Sequence, residues 1–391
     1  MNMHNKFIIL VLLIFLEFSC YSYGECTGLS EGQVEAVKTP LKKLLEVKDE
    51  FDEDGYVPSS ISRSIEQLKT GLINLVDARI TCEGSDINAL AIQQDLSNKL
   101  KINQLDEDSA IYGYDLQIVI QKTLGLLAVH LTFGIPCGND NMLMVYRYRD
   151  EAWQRDLIWK SNAYKNIAGA FGDYFDYLLL PSKFNETPKL VVIHGAPWCK
   201  STWSPFTIDV VKLAEDTNPQ KILLHKQMIS YTGNESDLTL KKLASGFELR
   251  MQVGMLDSDL FTRQGIYRYQ IIGDKILRVQ PVADNVRDFV DEWLTLDNIT
   301  AVNLVEKSNL HMLSLFQRKL KERYGYYGAV QACHGDGEEY QVTMTFNGTK
   351  ENDKEDLYYF IVKTTRFGYL LKAISQEADP NCTGPDIMAK K

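Results

Sequence analysis

The sequence has no excess of positive charge. Its 42 Lys and Arg residues stand against 52 Asp and Glu, which gives a formal net charge of −10 at pH 7. Because a protein that binds nucleic acid needs a cationic surface to meet the phosphates, we expect no nucleic-acid partner. An apolar share of 45% and a charged share of 24% are ordinary for a folded protein and exclude the collagen, coiled-coil and disordered classes.

Signatures of metal and cofactor binding are missing too. Histidine occurs six times without an H-E-x-x-H pattern, and the seven cysteines include no C-x-x-C pair. No glycine-rich phosphate loop is present either. We therefore predict no metal and no cofactor.

No apolar run is long enough to cross a membrane as a helix, which takes about 20 residues. The unbroken run from Phe7 to Leu16 is shorter, follows Lys6, and is followed by the small residues Ser22 and Gly24. This pattern predicts a signal peptide over residues 1–24 and an exported protein without a transmembrane segment. Lipid anchoring at Cys20 is the alternative that the pattern leaves open.

Signal removal leaves six cysteines, an even number that favours disulfides in an exported protein. Sequence alone cannot choose among the possible pairings. Pairing within modules predicts Cys26–Cys82, Cys137–Cys199 and Cys333–Cys382.

Five N-x-S/T sequons are candidate glycosylation sites, on condition that the protein passes through a eukaryotic secretory pathway. They are Asn185, Asn234, Asn298, Asn347 and Asn381.

The hydrophobic period predicts an α+β multidomain protein. Apolar residues at helical spacing predict a helical domain over residues 25–105, with a capping box at Ser30 and Gln33 and a kink or break at Pro40. Short alternating runs predict a mostly antiparallel β domain over residues 106–295, sandwich-like or propeller-like. Residues 296–391 read as a small α+β module.

Two segments in the β region repeat the letters Y-R-Y. Val145–Tyr148 and Ile266–Tyr269 are each followed by a second strand-like run, so both predict a hairpin. Repetition of a hairpin unit is typical of propellers and stacked β arrays, although two copies also arise by chance.

The segment Pro197-Trp198-Cys199-Lys200-Ser201-Thr202 resembles the W-C-x-x-C turn of thioredoxins. Thr202 replaces the second cysteine, and β-like residues follow where a helix would lower the thiol pKa. We therefore interpret Cys199 as a structural half-cystine, with Trp198, Trp203 and His194 as binding candidates. No catalytic residue is assigned.

Seven motifs carry a wider resemblance. They are Phe133–Gly138, Val145–Tyr148, Ala170–Asp173, Pro197–Cys199, Gln280–Ala283, Asp288–Leu294 and Cys382–Asp386. Through them residues 125–294 and 328–386 resemble a group of uncharacterised secreted bacterial proteins. The resemblance implies an exported protein with cysteines at the same places, and it implies no activity.

Two classes of function follow. Aromatic residues crowd the first half of the β region, from Tyr112 to Tyr177, and exposed aromatic side chains bind sugars and proteins. The first hypothesis is a secreted, disulfide-stapled binding or structural protein whose partner is a protein or a glycan. The alternative is an extracytoplasmic hydrolase that uses His194 with Ser201 or an Asp.

Overall fold

The structure is a computed structural model. It describes residues 28–48, 57–102, 110–123, 125–136, 138–161, 174–180, 187–195, 203–215, 218–231, 238–257, 262–321, 323–333, 338–347 and 355–389. Over these residues no helix is both long and apolar enough to span a membrane.

Helices and strands both occur, and strands dominate. The helices are α1 (Glu31–Leu45), α2 (Ser59–Ile80), α3 (Ala89–Leu100), α4 (Val286–Thr295), α5 (Asn298–Val302) and α6 (Leu310–Leu320). The first eight strands are β1 (Gln117–Thr123), β2 (Leu126–Ile135), β3 (Gly138–Arg149), β4 (Ala152–Lys160), β5 (Phe175–Leu180), β6 (Lys189–Gly195), β7 (Trp203–Lys212) and β8 (Lys221–Tyr231). The others are β9 (Thr239–Leu243), β10 (Gly246–Gly254), β11 (Thr262–Ile272), β12 (Lys275–Arg278), β13 (Gly325–Ala332), β14 (Glu339–Phe346), β15 (Asp356–Thr365) and β16 (Gly368–Ser375).

The strands form four four-stranded sheets in which each strand lies beside the next one in the chain. The pairing is antiparallel, which confirms the prediction of a β-rich chain with antiparallel strands. The chain divides into two compact units, residues 1–135 with 140–165 and residues 136–139 with 166–391. The predicted domain boundaries after residues 105 and 295 stay predictions.

The first unit packs three helices on the sheet β1–β4. Tyr146 on β3 donates from its hydroxyl to Asp77 on α2 at 2.7 Å, and the Trp153 indole on β4 donates to the Gly84 carbonyl at 2.9 Å. Tyr146 and Trp153 are almost fully buried, as are the apolar faces of the helices. The helices that the spacing predicts therefore cover one face of this sheet.

Helix α1 begins at the predicted residue, but it does not end at Pro40. Ser30 accepts from the Gln33 backbone N–H, and the Gln33 side chain accepts from the Ser30 backbone, so the capping box is confirmed. Of the kink or break predicted at Pro40, the break is wrong, because α1 continues through Pro40 to Leu45, and the kink stays a prediction. Proline removes one helical N–H, and the burial of Val37, Leu41 and Leu44 against the rest of the unit outweighs that loss.

In the second unit the sheets β5–β8 and β9–β12 share one hydrophobic core. Its fully or nearly buried members are Leu180, Val191, Ile193, Phe206, Ile208, Val210, Phe247, Leu249, Met251, Val253, Tyr267 and Tyr269. These side chains come from alternate positions of each strand, as in the inner faces of a sandwich. The strict alternation of residues 247–253 predicts this inner face, and the structure confirms it.

The rest of the second unit places helices α4 and α6 on one face of the sheet β13–β16. Phe289 and Trp293 of α4 share a core with Met344, Phe346 and Phe360 of the sheet. Helix α4 lies inside the region predicted to be mostly antiparallel β, and the sequence pattern did not predict it. Asn285 caps α4 by accepting from the Asp288 N–H at 2.9 Å, and the apolar residues that follow keep helical spacing.

Candidate functional site

His194, the histidine singled out by sequence, lies on the outer face of the sheet β5–β8. Ile193 and Ile208 point into the sandwich core, so alternation places His194, Thr207 and Asp209 on the opposite face. His194 pairs with Thr207 across β6 and β7, and Asp209 pairs with His225 across β7 and β8. Three adjacent strands thus bring two imidazoles and a carboxylate to one face.

The carboxylate links this cluster. His225 Nδ1 lies 2.7 Å from Asp209 Oδ1, so the imidazole donates from Nδ1. Asp209 is 6% exposed, whereas the His225 side chain is 49% exposed. A buried carboxylate therefore orients a half-exposed histidine, the arrangement that positions a general base.

His194, unlike His225, is buried. Burial lowers the pKa of His194, the Asp209 charge opposes that fall, and the His225 charge adds to it. His194 is therefore a neutral imidazole near pH 7 that can donate or accept a hydrogen bond without carrying charge.

Beside these histidines, hydrolysis would still need either a side-chain nucleophile or a metal-bound water. Ser201, the predicted nucleophile, lies outside the described residues. In the described part of the chain no group of three His, Cys, Asp or Glu side chains is arranged to hold a metal ion. Gly28-Leu29-Ser30-Glu31-Gly32 has the spacing of a hydrolase nucleophile turn, but Ser30 caps α1 and no described strand leads into it.

Trp203, a predicted binding residue, packs within the protein. Its ring meets Tyr231 edge-on with 5.0 Å between centroids, and a Cβ at Gly254 would lie 3.4 Å from the indole. The Trp203 ring therefore packs against β8 and β10 at one end of the sandwich. Trp198 lies outside the described residues.

About half of the aromatic residues of the early β region are core. Tyr112, Tyr146, Trp153 and Trp159 are all less than 9% exposed, whereas Tyr114, Tyr148, Tyr174 and Tyr177 are only partly buried. This is the share that alternation along a strand predicts.

Two strongly exposed tyrosines lie at the last sheet, one just before β13 and one within it. Tyr324 is 63% exposed and Tyr326 is 48% exposed. Tyr326 pairs with Thr345, and Thr345 pairs with Leu357, which is 39% exposed, so these three form one row across β13, β14 and β15.

A second row lies beside the first on the same face. Thr343 pairs with Tyr359, which pairs with Ser375, and a Cβ at Gly328 would lie 3.1 Å from Thr343. We call the residues of the two rows the tyrosine face: Tyr326, Gly328, Thr343, Thr345, Leu357, Tyr359 and Ser375. Met344, Phe346 and Tyr358 alternate with them and face the helices.

The C-terminal segment covers the neighbouring part of this sheet. The disulfide Cys333–Cys382, which confirms the predicted pair, ties the segment to the end of β13. The Gln341 side chain accepts from the Asp379 N–H at 2.8 Å, and the Gln331 side chain donates to the Gly384 carbonyl at 2.9 Å. Among the described residues, these contacts do not extend to the tyrosine face.

Some of the remaining predicted sites lie within the described residues, and others lie outside them. Cys82 is disulfide-bonded, and Cys26, Cys137 and Cys199 lie outside the described residues. Asn298 and Asn381 are exposed, Asn347 is half-buried, and Asn185 and Asn234 lie outside. The pairings Cys26–Cys82 and Cys137–Cys199 and the glycosylation of these sequons stay predictions.

Comparison with known proteins adds no family. No family model matches the chain, and no curated protein matches it.

Sequence reasoning named His194 and missed Asp209, His225 as its partner, and the tyrosine face. Asp209 could have been found from the alternating segment Phe206–Val210, in which an acid takes a strand position between buried residues. Tyr326 gave no comparable signal, because exposure depends on which face the helices cover.

Proposed function

We propose that the protein is an exported, disulfide-stapled binding protein that holds a glycan or a protein on the tyrosine face. The observation that carries the proposal is the exposure of Tyr326 and Leu357 in one row of a sheet whose other face is core. Exposed apolar side chains grouped on a sheet surface mark contact sites, and here Tyr326 and Leu357 flank Thr345 in the row.

The chemistry of the face suits an uncharged ligand. Its two rows combine tyrosine rings and one leucine with the hydroxyls of Thr343, Thr345 and Ser375, and they hold no charged side chain. Tyrosine offers an apolar ring and a hydroxyl in one rigid side chain, which serves both sugar rings and protein surfaces. The hydroxyl groups favour the glycan.

Export is part of the proposal. The signal-peptide pattern over residues 1–24 and the Cys333–Cys382 disulfide support an oxidising destination.

A glycan array probed with the full chain tests the binding role. The double variant Tyr326→Ala/Leu357→Ser should weaken binding by about tenfold or more, since two central contacts are lost. Phe367→Ala is the matched control, because Phe367 is 64% exposed on the turn between β15 and β16 and off the face. Equal binding by the double variant and the wild-type protein would refute the proposal.

Hydrolysis is the second candidate function, favoured by the convergence of His194, Asp209 and His225 on one face. If His225 is a general base, His225→Gln should lower ester or amide hydrolysis at least about a hundredfold, while unfolding stability stays near that of the wild type. His311→Gln, on exposed α6, is the control. An unchanged rate in His225→Gln would remove this candidate.

A further inference from the structure

A cavity of about 530 Å³ lies in the first unit, between α1 and the end of α3. Its volume falls in the range of roughly 300–1,000 Å³ that is typical of pockets for small molecules. Three leucines form the apolar part of its wall, namely Leu41 and Leu45 of α1 and Leu100 of α3. Leu41 and Leu100 are each 1% exposed and belong to the core, whereas Leu45 is partly exposed. The cavity therefore offers a hydrocarbon wall to a small ligand.

The rest of the wall is charged, with a surplus of positive groups. Four lysines and two glutamates line the cavity: Lys38, Lys42, Lys43, Lys101, Glu35 and Glu46. The surplus is positive although the whole chain carries a net charge of −10. Lys42 lies 3.9 Å from Glu46, and both side chains are largely exposed, so water screens this pair. Lys38, Lys43 and Lys101 make no salt bridge with any described residue.

Lys38 shows that helix ends do not account for all of this charge. Lysines in the last turn of a helix stabilise its partly negative C-terminus, an effect that falls off within one turn. Lys42 and Lys43 lie in the last turn of α1, and Lys101 is the C-cap of α3. Lys38 lies about two turns before the end of α1, and it is only partly exposed. Its ammonium group therefore lacks both a helix end and a paired carboxylate among the described residues.

Helical spacing brings the ammonium and hydrocarbon groups of α1 together. Leu41 and Leu45 follow Lys38 at i+3 and i+7, so the three side chains share one face of the helix. Lys101 adds a second ammonium group from the end of α3. A wall that joins leucine side chains to lysine ammonium groups is complementary to a molecule with an aliphatic chain and an acid group.

We propose that this cavity binds a small aliphatic acid, whose hydrocarbon chain packs on the three leucines while its carboxylate meets Lys38 and Lys101. Burial of the chain gives affinity, and the lysines favour the acid over an alcohol of the same length. The positive surplus disfavours a cation of that length. The site lies in the first unit and does not depend on the binding role proposed for the tyrosine face.

Isothermal titration of the full chain with sodium octanoate tests the site. Titration with 1-octanol tests the hydrocarbon chain alone, and titration with sodium acetate tests the carboxylate alone. We expect saturable binding of octanoate, and binding of the other two that is weaker by about tenfold or more.

Two double variants separate the site from the overall charge. Lys38→Gln/Lys101→Gln should weaken octanoate binding by about tenfold, because it removes two positive charges beside the carboxylate. Lys221→Gln/Lys242→Gln is the matched control, since it removes two exposed charges from the second unit and changes the net charge equally. Glutamine and lysine have similar helix propensities, so α1 should stay intact.

Amide hydrogen exchange locates the bound acid. Octanoate should slow exchange in peptides that cover the ends of α1 and α3, and Leu45→Gln, which removes part of the hydrocarbon wall, should weaken binding by about threefold or more. Four results would overturn the proposal: no saturable binding of octanoate, octanol or acetate binding as tightly as octanoate, equal binding by the two double variants, or protection confined to other parts of the chain.

Discussion

Lys69 and Asp140 form a fully buried ion pair in the first unit. Lys69 Nζ lies 2.8 Å from Asp140 Oδ2, and both side chains are inaccessible to solvent. Burial raises the pKa of Asp140 to about 7, although the Lys69 charge opposes the rise. The folded state therefore favours the protonated carboxyl more than the unfolded chain does.

This pair predicts a pH dependence of stability. A folded-state pKa above the unfolded value adds stability below about pH 4, and that stability is lost as the pH rises through about 7. Between pH 5 and pH 8 the unfolding free energy of the wild type should fall by roughly 1–4 kcal/mol relative to Asp140→Asn. Urea unfolding at pH 5, 6, 7 and 8 measures the difference. Asp150→Asn, in the exposed β3–β4 turn, is the control; pH curves of Asp140→Asn that run parallel to the wild type would contradict the prediction.

Gly71 shows why α1 tolerates Pro40. Pro40 cannot donate to the Ala36 carbonyl four residues earlier, and Gly71 of α2 lies against that same carbonyl: a Cβ at Gly71 would be 2.7 Å from the oxygen. Sequence predicts the disturbance at Pro40, but the close approach of a second helix depends on tertiary packing.

Substitution at Gly71 should therefore be costly. Gly71→Ala forces the two helices apart and should lower the unfolding free energy by about 1–3 kcal/mol. Gly32→Ala, in α1 with nothing within 4 Å of the added Cβ, should be neutral or stabilise by up to about 1 kcal/mol. Thermal unfolding of the two variants gives the comparison. A Gly71→Ala variant as stable as Gly32→Ala would show that the helices can separate freely.

Secondary-structure elements were predictable where one short period governs the segment. The helices α1, α2 and α3 and the strands β6, β8 and β10 follow from apolar spacing alone. Helix α4 was missed because Val286–Thr295 is short and sits between strand-like runs. Its apolar face is buried only because the sheet β13–β16, distant in sequence, packs against it.

Helix α4 is joined to the sandwich by buried charge. Arg263 on β11 donates from Nε to Asp291 and from Nη2 to Glu292, each at 2.7 Å, and its side chain is 3% exposed. Breaking a buried pair by removing one partner costs about 3–5 kcal/mol, so Arg263→Met should destabilise the protein by that order. Arg250→Met on β10, whose side chain is 30% exposed and pairs with Glu248 and Asp284, should cost about 1 kcal/mol or less. Similar losses in the two variants, measured by chemical unfolding, would contradict a central role for Arg263.

At the scale of the whole molecule one plan recurs, a four-stranded antiparallel sheet whose strands follow one another in the chain. The two Y-R-Y segments confirm the predicted hairpins: each lies on the third strand of such a sheet, β3 and β11, and leads into the fourth. The sequence therefore indicated these two hairpins, and their being copies of one unit stays a prediction. The sequence could not show the tyrosine face, because whether Tyr326 is core or surface depends on where α4 and α6 pack.

Disulfide pairing decides how the whole chain is cross-linked. Cys333–Cys382 is formed and Cys82 is bonded, so pairing within modules accounts for what the described residues show. We expect thiol titration of the denatured, unreduced mature protein to find no free thiol, and peptide mapping to recover Cys26 with Cys82 and Cys137 with Cys199. Each closed loop restricts the unfolded chain, so Cys333→Ser/Cys382→Ser should lower the unfolding free energy by about 2–4 kcal/mol. A free thiol at Cys199 that reacts rapidly with iodoacetamide in the native protein would instead make the Trp198–Cys199 turn a reactive site, and the structural interpretation of that turn would be wrong.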